Sequence, residues 1–255
     1  MKDNSLQDIL NLLQKKQSAT VEQIASETFL SQSSVRRKLT ALQEKGLITR
    51  THGGARLLSN ESLFPSFSFR SHQNSFEKKN IASHAINFIK DGDFIFLDGS
   101  TSAFFVAEYL KDFKNVRVMT NGIDTISTLS KNKIEAYSTG GKISPTNRSV
   151  LIGQTAINTI EHYHADVVIF SAQSVDNCGN LFDCFEEENF IRLAMMKNAS
   201  KKIFLCDSSK LNKSSMFKLC EVSNVDYFIC NTDLSGYFTK PFKNTRFICT
   251  NKLSK

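Results

Sequence analysis

Proline and glycine are scarce, at 3 and 11 residues in a chain of 255. That excludes a collagen-like repeat and Pro-rich low-complexity sequence. No apolar run approaches the ~18 residues that a bilayer-spanning helix needs. The first residues, Met1-Lys2-Asp3-Asn4-Ser5, open an amphipathic stretch rather than a continuous apolar one. A cleaved signal peptide is therefore not expected, and a cytoplasmic location is. Acidic residues are missing after Asp233, where Lys240, Lys243, Arg246, Lys252 and Lys255 follow. The cysteines, Cys178, Cys184, Cys206, Cys220, Cys230 and Cys249, include no C-x-x-C pair, and no histidine stands at finger-like spacing from two of them. Most lie in apolar runs such as Ile203-Phe204-Leu205-Cys206, which points to buried free thiols and to no metal or other cofactor. A G-x-x-x-x-G-K-[ST] loop is also missing, so nucleotide binding of that type is not indicated.

What is present suits a folded protein. Hydrophobic residues make up 40% of the chain, too many for wholesale disorder, and the length fits one to two domains. The formal net charge of +7 is unevenly placed. Residues 1–60 hold nine basic and five acidic side chains, the C-terminal end is basic, and the middle is slightly acidic. A basic start on a near-neutral body suits a small nucleic-acid-binding unit joined to something else. Residues 234–255 read as a solvated basic tail.

Leu6, Ile9, Leu10 and Leu13 recur at i, i+3, i+4, i+7 and define one face of a first helix. Thr20-Val21-Glu22-Gln23 has the T-x-x-Q form of a capping box and opens a second helix to about Thr28, with Val21, Ile24 and Ala25 inward. Ser31 can cap a third, in which Val35, Leu39 and Leu42 share a face and which Gly46 stops. Leu47 to Arg50 reads as a short strand and Gly53-Gly54 as a hairpin turn. Three short helices and a hairpin are the elements of a winged helix-turn-helix. The third helix carries Gln32, Ser33, Ser34, Arg36, Arg37 and Lys38 in its N-terminal half, the end that enters the major groove in this motif. Arg50, His52 and Arg56 would lie on the wing, near backbone phosphates. A helical bundle with a solvated basic face would share the charge, but not the cap, short turn, Arg pair and wing glycines together.

These residues resemble a known family. Ser31-Gln32-Ser33-Ser34-Val35-Arg36-Arg37-Lys38-Leu39, then Leu42, Gly46, Arg50 and His52-Gly53-Gly54-Ala55, are similar to the N-terminal signature of DeoR-type transcriptional regulators, with Lys38 where the family usually has Asp. The domain is taken as 1–58 and a linker as 59–73. That linker holds Phe64, Phe67 and Phe69 without a helical period, and the rings are expected to lie across the second domain or a partner subunit.

From residue 74 to 233 the pattern changes. Asn74-Ser75-Phe76-Glu77 starts a helix lined by Ile81, Ala82, Ala85, Ile86 and Ile89. Apolar runs at 94–97, 116–119, 134–137, 167–170, 203–206 and 227–230 then alternate with stretches that can hold helices, notably 102–111, 154–163 and 186–199. Such alternation indicates an α/β domain with a mostly parallel sheet. The strand exits are polar: Asp98-Gly99-Ser100-Thr101-Ser102, Thr120-Asn121, Thr139-Gly140-Gly141-Lys142, Ser171-Ala172-Gln173 and Asp207-Ser208-Ser209-Lys210. Because open α/β sheets bind ligands at the carboxyl ends of their strands, these exits would converge on one small hydrophilic ligand. Gly99 to Ser102, opening a helix, would surround an anion with N–H groups and hydroxyls. Asp98 can accept from sugar hydroxyls, and Lys210 could neutralise a phosphate or hold a hydroxyl.

The exits, with Gly153 and Gly179, also fall in the order of the DeoR-type sensor domain, although Gly99 stands one place earlier than in the family's Asp-x-Gly-Thr-Thr. The resemblance implies a fold like that of ribose-5-phosphate isomerase and a phosphorylated sugar effector. It implies a repressor of sugar or nucleoside catabolism that binds operator DNA, and half-site symmetry makes a homodimer or homotetramer the expected state. The competing readings are a sugar-phosphate isomerase using Asp98, Glu187, Glu188, Asp207 and Lys210, and an architectural DNA-binding protein. Against the first, Glu186 to Glu188 suit a charged first helical turn. His162 and His164 read as a surface pair.

Overall fold

The computed structural model describes residues 5–44, 48–57 and 65–251. No helix among them is long and apolar enough to cross a membrane. The chain divides into two compact units, 1–73 and 74–255.

The smaller unit runs α1 (Ser5–Lys16), β1 (Ser18–Thr20), α2 (Val21–Thr28), α3 (Gln32–Glu44), β2 (Ile48–Thr51), β3 (Gly54–Leu57) and α4 (Phe67–His72). Ile9, Leu13, Ile24, Val35, Leu39, Leu42 and Ile48 form its core. The start of α2 is fixed by both bonds of the capping box: Thr20 Oγ1 accepts from the Gln23 N–H, and Gln23 Oε1 accepts from the Thr20 N–H. Ser31 Oγ caps α3 by accepting from the Ser34 N–H. The strand β1 had no sequence signal of its own; it pairs with β3, giving the order β1-β3-β2. Gly54 is needed there, since a Cβ would lie 2.3 Å from the Ala19 carbonyl oxygen, and Gly53 turns the hairpin at a φ of +80°. Gly46, Leu47 and Phe64 lie outside the described residues.

One expectation about the joint is corrected. Residues 67–72 are helical, with Ser66 as cap, rather than an irregular linker. Phe69 packs against the small unit's own core.

The larger unit starts with α5 (Ser75–Ala85), then β4 (Phe94–Leu97), α6 (Thr101–Tyr109), β5 (Arg117–Thr120), α7 (Ile123–Lys131) and β6 (Glu135–Ser138). A hairpin of β7 (Lys142–Ile143) and β8 (Leu151–Ile152) leads to α8 (Gln154–Glu161) and β9 (Ala165–Phe170). Then come β10 (Ser174–Val175), β11 (Asn180–Asp183), α9 (Glu186–Lys197), β12 (Ala199–Cys206), β13 (Phe217–Glu221), β14 (Tyr227–Cys230) and β15 (Arg246–Cys249). Seven strands form one parallel sheet in the order β15-β14-β12-β9-β4-β5-β6. The unit is therefore α/β with the parallel sheet expected.

Strand alternation sorts the core. Ile95, Leu97, Val118, Ile169 and Leu205 face α5, α6 and α7, while Phe96, Val168, Phe170 and Phe204 face α8, α9 and the small antiparallel sheet β10-β11-β13. Phe170, Phe204, Phe228 and Phe247 are in register on four successive strands and form a ring ladder, with neighbouring centroids 5.0–5.6 Å apart. Cys206 and Cys230 are buried as expected, whereas Cys178 is exposed and the remaining thiols are half-buried.

The C-terminal stretch is a further correction. Residues 246–249 are the edge strand of the main sheet, not part of a solvated tail, because Phe247 and Ile248 continue the apolar rows of β14.

Candidate functional site

In the small unit, α3 shows solvent a polar face. Ser31, Gln32, Ser33, Arg36 and Arg37 are exposed, and Thr40 extends the face by a turn. Arg36 Nη2 donates to Gln32 Oε1 over 3.4 Å and Arg37 Nη2 to Ser34 Oγ over 3.5 Å, so both guanidiniums lie along the helix surface. Ser34 and Lys38, one turn apart, are half-buried and set back from that face. His52 and Arg56 are exposed on the wing. Arg50 departs from expectation: its Nη1 donates to the Arg36 carbonyl over 3.4 Å, tying the wing to α3, and its Nε is buried without a partner. Its guanidinium braces the face rather than standing free on the wing.

In the large unit, the chain order reverses at β4: β5 and β6 lie on one side, β9 and the later strands on the other. Such a switch point opens a crevice at the strands' carboxyl ends. Asp98 follows β4 and Ser171 follows β9, two strands paired side by side in the sheet.

On the β4–β5 side the loops are pressed together. A Cβ on Gly99 would lie 2.4 Å from Val150 Cγ1, and one on Gly122 would lie 3.0 Å from the Gly99 Cα. Neither glycine has a positive φ, so close approach alone demands them. The β7–β8 hairpin folds onto this corner through bonds between Leu151 and Asn121. Ser100 caps α6, accepting from the Ala103 N–H over 3.2 Å, while α7 starts at Gly122 with no side-chain cap. Around these helix starts, Ser102 Oγ, Asn121 Oδ1 and Thr125 Oγ1 are buried and lack hydrogen-bond partners. An unmet buried polar atom costs about 1–3 kcal/mol, and three stand together beside two helix starts whose positive ends favour negative charge. Thr125 and Gly122 were missed in the sequence because α7 has no cap residue to announce it.

Asp98 is not the open acceptor expected. Its Oδ1 accepts from Ser100 Oγ at 2.6 Å and its Oδ2 from Arg192 Nε at 2.8 Å, and the carboxylate is 1% exposed. Arg192 also reaches Asp183 at 3.1 Å and Glu188 at 3.2 Å, and Glu188 accepts from Asn147. Burial works against the charged guanidinium, but Asp183, Asp98 and Glu188 more than offset it and raise its pKa. Glu188 is thus an internal ligand of Arg192 rather than a solvated first-turn acid, whereas Glu186 and Glu187 are exposed.

On the β9–β12 side, Lys210 Nζ donates to Ser171 Oγ and lies 3.9 Å from Asp207. Asp207 accepts from Asn74 Nδ2 and from the Ser209 N–H. Burial tends to raise its pKa; Lys210, Ser209, Lys78 and Asn74 outweigh that and hold it below the usual carboxylate range. Gly140 and Gly141 follow β6 at the sheet's edge, where positive φ values turn the chain, and a Cβ on Gly141 would lie 2.5 Å from the Ile152 carbonyl oxygen. His162 and His164 are exposed, the latter bonded to Ser200.

Residues 6–61 match the DeoR-like helix-turn-helix domain, and residues 73–232 match the DeoR C terminal sensor domain. The HTH-type transcriptional regulator GolR of Listeria innocua is 32% identical over 92% of this chain and 93% of its own length. The HTH-type transcriptional repressor GlcR of Bacillus subtilis is 33% identical over 87% of this chain and 85% of its own. The L-fucose operon activator of Escherichia coli is 28% identical over 90% and 95%. Among solved structures, ribose 5-phosphate isomerase A of Methanocaldococcus jannaschii is similar over 54% of this chain and 55% of its own, with 17% identity and a TM-score of 0.41. The sequence relatives are regulators, not enzymes, and the isomerase alternative is set aside with them.

Proposed function

The chain belongs to the DeoR family of DNA-binding transcriptional regulators, and from that premise we propose that it is a cytoplasmic repressor of sugar-catabolism genes whose grip on its operator is set by a phosphorylated sugar. Gln32, Ser33, Arg36 and Arg37 read base edges, with Ser31 and Ser34 at the start of the helix. His52 and Arg56 approach phosphates, and Arg50 and Lys38 steady the helix that does the reading.

The observation that carries the effector site is the set of orphaned oxygens on Ser102, Asn121 and Thr125, beside the starts of α6 and α7. A phosphate there would take hydrogen bonds from Ser102, from the free N–H groups of Thr101 and Ser102, and from the start of α7. Asp98, Gly99 and Ser100 hold the α6 start in place. Lys210, Ser171 and Asp207 meet the hydroxyls or a second charged end of the ligand across β9. Gly140 and Gly141 act through the position of the β7–β8 hairpin. Both buried carboxylates at the crevice, Asp98 and Asp207, already have cationic partners, so neither stands as a bare charge against an anion.

Thermal unfolding of the full chain against phosphorylated sugars and their unphosphorylated counterparts tests the assignment. A ligand at 100 times its Kd adds about 2.7 kcal/mol, a rise of roughly 5–10 °C for a unit of this size. Stabilisation by one phosphosugar and not by its free sugar is expected; equal response to both, or to neither, would remove the effector site. The same ligand added to a protein–operator complex reads the sign of control, since one similar regulator is named a repressor and another an activator.

A further inference from the structure

Helix α9 buries Glu188, Asn189, Ile191, Arg192, Ala194, Met195 and Met196 and leaves one stripe in solvent. That stripe is Glu186, Phe190, Leu193 and Lys197, with Glu187 beside its start. At 100° per residue these four positions fall within about 60° of arc. The centre of the stripe is apolar, with Phe190 47% and Leu193 40% exposed, where a solvated helix face would carry polar residues. Further apolar groups flank it. Ile143 is half exposed on β7, which the Lys142–Glu187 ion pair at 2.9 Å holds beside α9. Met216, 82% exposed, precedes Phe217, whose carbonyl accepts from Asn189. An exposed apolar cluster of this kind marks an interaction surface.

The order of residues along the stripe selects the partner. Positions 190 and 193, and positions 186 and 197, stand at equal distances on either side of the helix midpoint. A second α9 laid antiparallel on the first would therefore set Phe190 against Leu193 and Glu186 against Lys197, at both ends at once. This self-complementarity is what a two-fold interface requires. Neither Glu186 nor Lys197 has an ion-pair partner among the described residues. An open groove of about 640 Å³ lies beside Leu193 and Lys197, lined by Met196 and Leu219 and by polar groups that include Lys202, Asn224 and Asp226.

We infer that α9 is a self-association surface, and that its partner is the α9 of a second copy of this chain, packed antiparallel about a two-fold axis. The inference does not depend on the effector site or on operator binding.

Sedimentation of the full chain across a range of concentrations tests it. The wild-type chain associates reversibly. Glu186→Lys and Lys197→Glu each set like charges against one another at both ends and weaken that association at least tenfold. An equimolar mixture of the two single variants restores it, because each then meets its opposite, and so does the double variant. Leu193→Asp abolishes it while the helical circular dichroism and melting temperature stay as in the wild type. A wild-type chain that remains monomeric, charge variants that associate like the wild type, or a mixture no tighter than its components would each overturn the antiparallel α9 interface.

Discussion

Removing the Arg192 guanidinium should be the most damaging single change to the larger unit. The side chain is 6% exposed and holds three buried carboxylates, Asp98 at 2.8 Å, Asp183 at 3.1 Å and Glu188 at 3.2 Å. Arg192→Leu keeps the apolar stem but leaves those carboxylates without their cation. Breaking a buried pair by deleting one partner costs about 3–5 kcal/mol, a large share of the 5–15 kcal/mol typical of a folded domain. The chain has no tryptophan, so urea unfolding is best followed by far-ultraviolet circular dichroism. The expected result is a deficit of about 3–5 kcal/mol at pH 7. A deficit under about 1 kcal/mol would refute the claim that Arg192 is the electrostatic keystone of the crevice.

Other changes separate the two units and the two sides of the crevice. Arg36→Ala and Arg37→Ala should each weaken binding to a duplex selected from random DNA by about 1–3 kcal/mol, with sugar-phosphate stabilisation unchanged; fluorescence anisotropy with unaltered affinity would remove them from the reading face. Gly99→Ala drives a Cβ to 2.4 Å from Val150 Cγ1 and should cost about 1–3 kcal/mol, most of it recovered by adding Val150→Ala; no recovery would mean the strain lies elsewhere. Lys210→Met should lose the ligand-induced rise in melting temperature without loss of operator binding. It also removes a group that keeps the Asp207 pKa low, and a depressed carboxylate stabilises above its unfolded pKa and loses that contribution as pH falls through the folded one. The stability gap between wild type and Lys210→Met should therefore close below about pH 4; a gap that persists there would assign the effect to packing.

Much of this was legible along the chain, and the legible parts are local. The T-x-x-Q cap at Thr20 and Gln23 forms both of its bonds, and Ser31 caps α3. The apolar runs 94–97 and 227–230 are strands with those bounds. Each is a pattern whose partner lies within a few residues, where spacing alone decides the geometry. The short strand β1 escaped because its three residues carry no alternation and are held by pairing with β3. Residues 246–249 were hidden by the basic residues around them, since charge density marks solvent exposure only on average. Asp98 was taken for a ligand group because its cation, Arg192, stands 94 positions away.

By itself, then, the sequence determined the two units, the helix-turn-helix elements and the alternation that builds a parallel sheet, because caps, periodicity and turn residues act over one or two turns of chain. Tertiary structure alone decided which polar groups are spent and which are left over. Asp98, Glu188 and Asp183 converge on Arg192, while the side-chain oxygens of Ser102, Asn121 and Thr125 remain unmatched. Hydrogen bonding of a buried group depends on what the crossover connections bring within 3 Å of it, and in a parallel sheet those neighbours arrive from distant parts of the chain.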